Sequence, residues 1–144
     1  MDIQVKKLRP GAKLPTAGSE YAAGYDLCAC LDEDIVIAPH ETAMIPTGLA
    51  MAVPVGWFGA VFARSGLASK NGLRPANCVG VCDSDYRGEY TVALHNDSSV
   101  PQTIENGQRI AQLVILPCPS VRFTEASALP ETERGAGGFG STGK

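Results

Sequence analysis

TAMIPTGLAMAVPVGWFGAVFA, Thr42 to Ala63, runs for 22 residues without a charge, and its reading decides the fold. The length alone would let it cross a bilayer, which takes about 20 apolar residues as a helix. The composition refuses that reading. Pro46, Gly48, Pro54, Gly56 and Gly59 cut the run into pieces of strand length, whereas a spanning helix must satisfy its own backbone hydrogen bonds throughout. The stretch therefore reads as short strands joined by turns, with Leu49–Val53 and Trp57–Phe62 as two of them.

The same texture extends outward on both sides. Ile3–Leu8, Asp26–Leu31, Ile35–Ala38, Glu89–His95 and Arg109–Leu116 are short runs with β-type patterning. Within Glu89–Leu94 the residues Tyr90, Val92 and Leu94 fall on one face, after the turn-rich segment Asp83–Gly88. Only Ser65–Lys70 offers a helical turn. A chain of 144 residues with 44% hydrophobic residues, 16 glycines and 10 prolines has one core and little room for long helices. The expected fold is all-β and single-domain: a sandwich, jelly roll or barrel. Residues 1–126 are expected to form this domain. Residues 127–144, polar over Pro130–Arg134 and then rich in glycine with one aromatic, Phe139, are expected to form a mobile tail.

A net charge of −3 excludes a nucleic-acid binder that relies on a bulk basic surface, so a polyanionic ligand must be held by a local cluster. Neither nucleic acid nor membrane is an expected partner. The sequence opens on no basic segment followed by an apolar one. Its five cysteines, at 28, 30, 78, 82 and 118, are an odd number ill suited to a disulfide framework. Both features suggest a reducing, cytoplasmic setting. Cys28, Cys30, Cys78 and Cys82 lack the usual zinc spacing and read as small buried hydrophobes on strand faces.

Five places concentrate chemistry. Arg64, the first charge after the neutral run, stands beside Ser65 and Gly66: either an anion site of guanidinium, hydroxyl and approachable backbone amide, or a serine cap with an arginine paired to a carboxylate. Asp83 and Asp85 follow the apolar Gly80–Cys82 and precede Tyr86, which suits a general base at a strand end or an Asx turn. Asp26, in a strand, is a cap or an ion ligand. Gln112 places an amide in an apolar strand, where it needs backbone partners or a ligand. In the tail, Ser141 and Thr142 between glycines suit a phosphate nest. His40 and His95 have no candidate metal ligand or nucleophile near them in sequence.

Taken in order, Ala23-Gly24-Tyr25-Asp26-Leu27, Arg64-Ser65-Gly66-Leu67, Gly80 to Gly88, Gly107 to Leu113 and Arg134 to Gly143 resemble the five motifs of the trimeric deoxyuridine triphosphatases. The resemblance implies a jelly roll of the dUTPase-like β-clip kind. It also implies a homotrimer whose three sites each draw motifs from all three chains, and hydrolysis of dUTP to dUMP and pyrophosphate. That activity keeps uracil out of DNA and supplies dUMP for thymidylate synthesis. By the same resemblance Asp83 is the base that prepares water for attack on the α-phosphorus. Mg²⁺ grips the triphosphate, with Asp26 holding it through water. Arg64, Ser65, Gly66 and Gln112 bind phosphate oxygens. Arg134, Gly140, Ser141 and Thr142 clasp the distal phosphates while Phe139 covers the uracil. Tyr86 packs under the deoxyribose, and Asn77 with the backbone to Gly80 reads the uracil edge.

Three residues depart from the family's pattern: Ala63 for a common proline, Cys82 for an aliphatic, and Gln108 for an acid that would partner Arg109. Cys82 beside Asp83 raises the expectation of sensitivity to thiol reagents. The alternative enzyme is a dCTP deaminase of related fold, disfavoured by the Asp83–Tyr86 segment and the complete tail. An idle nucleotide-binding or signalling protein on the same scaffold would have lost Asp83 or the tail. A structural capsid-type jelly roll leaves Arg134 and Phe139 unexplained.

Overall fold

The computed structural model describes residues 1–138. They form twelve strands and one short helical turn: β1 (Gln4–Lys7), β2 (Thr16–Ala17), β3 (Tyr25–Cys28), β4 (Ile35–Ile37), β5 (Thr42–Pro46), β6 (Leu49–Ala52), β7 (Trp57–Phe62), the turn Leu67–Asn71, β8 (Leu73–Pro75), β9 (Val79–Cys82), β10 (Thr91–Asn96), β11 (Gln102–Ile104) and β12 (Arg109–Pro117). Every pairing is antiparallel. The largest sheet has the order β2-β3-β12-β7-β9, beside a sheet β5-β10-β8 and the pairs β1-β6 and β11-β4. This is the expected all-β, jelly-roll-like architecture.

The neutral stretch supplies β5, β6 and β7. Its turns fall at Gly48 and Gly56, with φ of 69° and 86°, a left-handed backbone that glycine adopts without steric cost. Among the described residues no helix is long and apolar enough to cross a membrane. The inward faces meet in one core, where Leu27, Ile45, Leu49, Leu94, Ile104 and Ile110 are essentially inaccessible. A bulge in β12 between Arg109 and Ala111 breaks the period-two alternation. Consecutive Ile110 and Ala111 both enter the core, and Gln112 is set opposite Asp26.

Several local expectations change. The strand expected from Glu89 begins at Thr91, because the groups of the two preceding residues are committed to the turn between β5 and β6. Gly48 N donates to Glu89 Oε1 at 2.7 Å, Tyr90 N to Leu49 O at 2.8 Å, and Thr47 Oγ1 to Tyr90 O at 2.6 Å. Cys28 and Cys30 are buried as expected, but Cys78 is exposed and Cys82 half-buried. Cys78 lies in a tight turn before β9 with φ 62°, where Cys78 N donates to Pro75 O, so strand periodicity does not reach it. Beyond Pro117 the described residues form no further strand, and Val121, Phe123 and Leu129 are 66%, 92% and 83% exposed.

Candidate functional site

The residues singled out from the sequence fall into two groups. The first lines a pocket of about 280 Å³ where β9 leads into the Asp83–Gly88 turn. Asn77, Gly80, Asp83 and Tyr86 all face it, with Cys82 and Tyr90. Gly80 is where β9 crosses β7 closely: a Cβ there would stand 3.2 Å from Val61 Cβ and 3.7 Å from Asn77 Nδ2. The turn is tied by Tyr86 N to Asp83 O at 3.2 Å and by Arg87, which donates to Ser84 O at 2.7 Å and Tyr86 O at 2.8 Å. Tyr86 Oη donates to Glu89 O at 2.9 Å, and its ring leans on Tyr90 at a centroid distance of 5.9 Å. Asp83 is exposed at the head of the turn, open to a water molecule. Burial pushes the Cys82 thiol upward, which keeps it protonated and a poor nucleophile at neutral pH; this weighs against thiol reagents acting there.

The second group surrounds Asp26. Arg64 Nε donates to Asp26 Oδ1 at 2.7 Å and Arg109 Nη1 to Oδ2 at 3.1 Å, so one carboxylate stands between two guanidinium groups and the cluster carries a net positive charge. Among the described residues Arg64 makes this bond through Nε alone, which leaves both terminal amino groups as donors for an anion. Gln112 Nε2 donates to Ala63 O at 2.8 Å, and Gln112 Oε1 occupies the space that a Cβ on Gly24 would need. The half-buried amide thus finds a backbone partner. The helical turn Leu67–Asn71 has Gly66 at its N-cap and no side-chain cap hydrogen bond, so Ser65 does not cap it and remains exposed with Gly66. Arg64 and Arg109 also line an open groove with Thr103 and Asn106, and Lys13 Nζ reaches Gly107 O at 3.5 Å.

Arg109 joins this group through a contact that spacing along the chain does not reveal, because it spans 83 positions and depends on strand register. Its expected partner, an acid at 108, is replaced twice over. Asp26 takes the guanidinium, while Gln108 Oε1 accepts from Glu105 N at 2.9 Å. His95 is engaged away from both groups by Thr42 Oγ1 at 2.9 Å and Asp97 at 3.3 Å. Arg134 is exposed, with Nε donating to Gly137 O at 2.9 Å. Phe139, Gly140, Ser141 and Thr142 lie outside the described residues.

The two groups do not meet in one chain. Asp26 faces Gln112, Gln112 faces Phe62 and Phe62 faces Val79 across the large sheet. Asp83 is then three strands over and four residues along from Asp26, on the order of 20 Å.

Among the described residues no three His, Cys, Asp or Glu side chains gather to hold a metal. Asp26 can nevertheless serve a cation that keeps its own water. Each of its oxygens accepts one guanidinium N–H and retains a further lone-pair site. Mg²⁺ favours such an arrangement, bound by one or two carboxylates, waters and substrate phosphates rather than by an all-protein cage.

A dUTPase family model matches residues 11–143. The deoxyuridine 5'-triphosphate nucleotidohydrolase of Desulfitobacterium hafniense is 55% identical over 132 residues, 91% of this chain and 87% of that protein. The protein of the same name from Desulfotalea psychrophila is 51% identical over 130 residues, 90% and 87% of the two chains. Among solved structures, a variant of the phage 80alpha dUTPase superposes with a TM-score of 0.89 at 30% identity, covering 97% of this chain and 98% of that one. The Staphylococcus bacteriophage 80alpha dUTPase with dUPNHPP gives 0.87 at 30% identity, over 99% of both.

Proposed function

Because this chain belongs to the dUTPase family, we propose that it is a dUTP diphosphatase, releasing dUMP and pyrophosphate at sites shared between the chains of a homotrimer. The observation that carries the shared site is the separation of its two halves. A base must lie within about 3 Å of the water it deprotonates, and that water within about 3.5 Å of the phosphorus it attacks. Asp83 of one chain and the Asp26–Arg64 cluster of the same chain stand too far apart for both to serve one α-phosphate. A second copy supplies the missing half, and the exposed Val121, Phe123 and Leu129 suit an arm that a neighbouring copy covers.

In this reading Asp83 accepts a proton from water as its oxygen bonds the α-phosphorus and the bond to the α,β-bridging oxygen breaks, with pyrophosphate leaving. Arg64, Ser65, the Gly66 amide and Gln112 hold phosphate oxygens and offset the charge that spreads over them. Asp26 would hold a Mg²⁺ ion through water, and that ion would supply charge neutralisation for the triphosphate. Tyr86 packs under the deoxyribose, and Asn77 with the backbone to Gly80 takes the uracil. Residues 1–126 form the nucleotide-binding domain. Residues 127–144 form a tail whose Arg134, Gly140, Ser141 and Thr142 clasp the distal phosphates and whose Phe139 covers the base. The activity removes dUTP before it reaches DNA and provides dUMP for thymidylate synthesis, in a cytoplasmic setting.

Separation of products after incubation with dUTP, dCTP, dTTP or UTP and Mg²⁺ tests this. The expected result is dUMP and pyrophosphate from dUTP alone. Ammonia from dCTP would point to the deaminase instead, and intact dUTP would overturn the reading.

A further inference from the structure

The pocket that holds Asp83 and Tyr86 has an unusual floor. Tyr90 is 3% exposed, yet its hydroxyl has no hydrogen-bond partner among the described residues. The Cys82 thiol, at best a weak partner, is its polar neighbour. An orphaned buried hydroxyl is costly, and a leucine would fill a core position without that cost. The phenol lies close over a glycine of β7: a Cβ on Gly59 would stand 3.3 Å from Tyr90 Oη. From behind, the residue is bolted to the core by Tyr90 N to Leu49 O and by the fully buried Thr47, whose hydroxyl donates to Tyr90 O.

What this rigid ring supports is Tyr86. The two rings lie 5.9 Å apart at 49°, within the range of favourable aromatic contact. Tyr86 Oη is pinned to Glu89 O, and its phenol fills the space that a Cβ on Gly88 would take. A continuous path therefore runs from the core through Tyr90 to Tyr86 and the pocket wall.

We propose that Tyr90 is a positioning residue for sugar selection, its buried ring holding Tyr86 as the wall that keeps nucleotides with a 2′-hydroxyl out of the pocket. The proposal rests on the reading of Tyr86 given above. A wall excludes a single added oxygen only if it cannot yield, and selectivity built on shape alone is modest unless the shape is stiff.

The test compares kcat/KM for dUTP and UTP in wild type, Tyr90→Leu, Tyr90→Phe and Gly88→Ala. Removing the ring in Tyr90→Leu should lower the dUTP to UTP ratio by about tenfold or more, chiefly by raising turnover of UTP. Tyr90→Phe keeps the ring and should keep the ratio. Gly88→Ala displaces Tyr86 without opening the core and should lower the ratio likewise, so the proposal stays testable if Tyr90→Leu fails to fold. Equal losses on both substrates in Tyr90→Leu or, if that variant does not fold, an unchanged ratio in Gly88→Ala would reduce Tyr90 to a packing residue and overturn the proposal. Wild type that leaves dUTP intact would instead sink the assigned activity itself.

Discussion

Asp83 and Asp26 are aspartates in the same small domain with opposite surroundings. Asp26 is held between Arg64 and Arg109 at 2.7 and 3.1 Å, committed to charge pairing, whereas Asp83 is exposed at the end of β9. General-base catalysis typically contributes 10²–10⁴ in rate. Asp83→Asn should lose turnover by about that range while still binding nucleotide, as measured by pyrophosphate release and calorimetric titration; undiminished pyrophosphate release would remove Asp83 from the role. Tyr90 makes a prediction of a different kind. Burial, then the neighbouring Cys82, pushes its phenol above the ordinary value of 10.0, so the folded state keeps the proton longer than the unfolded chain does. Its stabilising contribution is intact below pH 10 and is lost as pH rises from there toward the folded-state value. Against Tyr90→Phe, wild type should lose stability by up to about 1.4 kcal/mol per pH unit above pH 10 in urea unfolding. Parallel curves for the two proteins would show that this phenol is not held protonated.

The elements divide into those legible locally and those that depend on register. The neutral run from Thr42 to Ala63 announces strands because its prolines and glycines carry the turns with them, and Trp57–Phe62 is found where expected. Tyr90, Val92 and Leu94 alternate inward as read, although the strand starts later because Glu89 and Tyr90 serve the neighbouring turn. Of the three-residue strands, β4 is legible because it is all β-branched, Ile35-Val36-Ile37, whereas β8 (Leu73–Pro75) and β11 (Gln102–Ile104) carry too little such pattern to be seen. The candidate residues were legible as a set through their motifs, but their partners were not: Arg109 finds Asp26, and Gln112 finds Ala63 O, through pairings remote in sequence. Asn96 shows the same limit. Fully buried, it donates from Nδ2 to Ile37 O, Ala38 O and Val100 O at 3.0, 3.2 and 2.8 Å, and its Oδ1 accepts from Ser98. One amide thereby joins β10 to the end of β4 and the loop before β11. Asn96→Ala would strand several buried backbone groups and should cost about 3 kcal/mol or more by urea denaturation. A cost below about 1 kcal/mol would mean that water replaces the amide readily.

At the scale of the whole molecule, the proposed reading needs more than one chain for each site. Closed symmetric assemblies can build a site at every interface from unlike patches of neighbouring copies. The layout of this fold, with Asp83 at one end of the large sheet and the Asp26–Arg64–Arg109 cluster toward the other, suits that solution. The most direct measurement mixes two inactive proteins. Asp83→Asn and Arg64→Ala are each unfolded, combined in equal amounts and refolded together, and pyrophosphate release from dUTP is followed. If each site draws its base and its arginine from different copies, about one quarter of the sites regain both intact groups, and the mixture recovers activity that neither variant has alone. A mixture that assembles fully but remains as inactive as its components would place both groups in one chain and contradict the account.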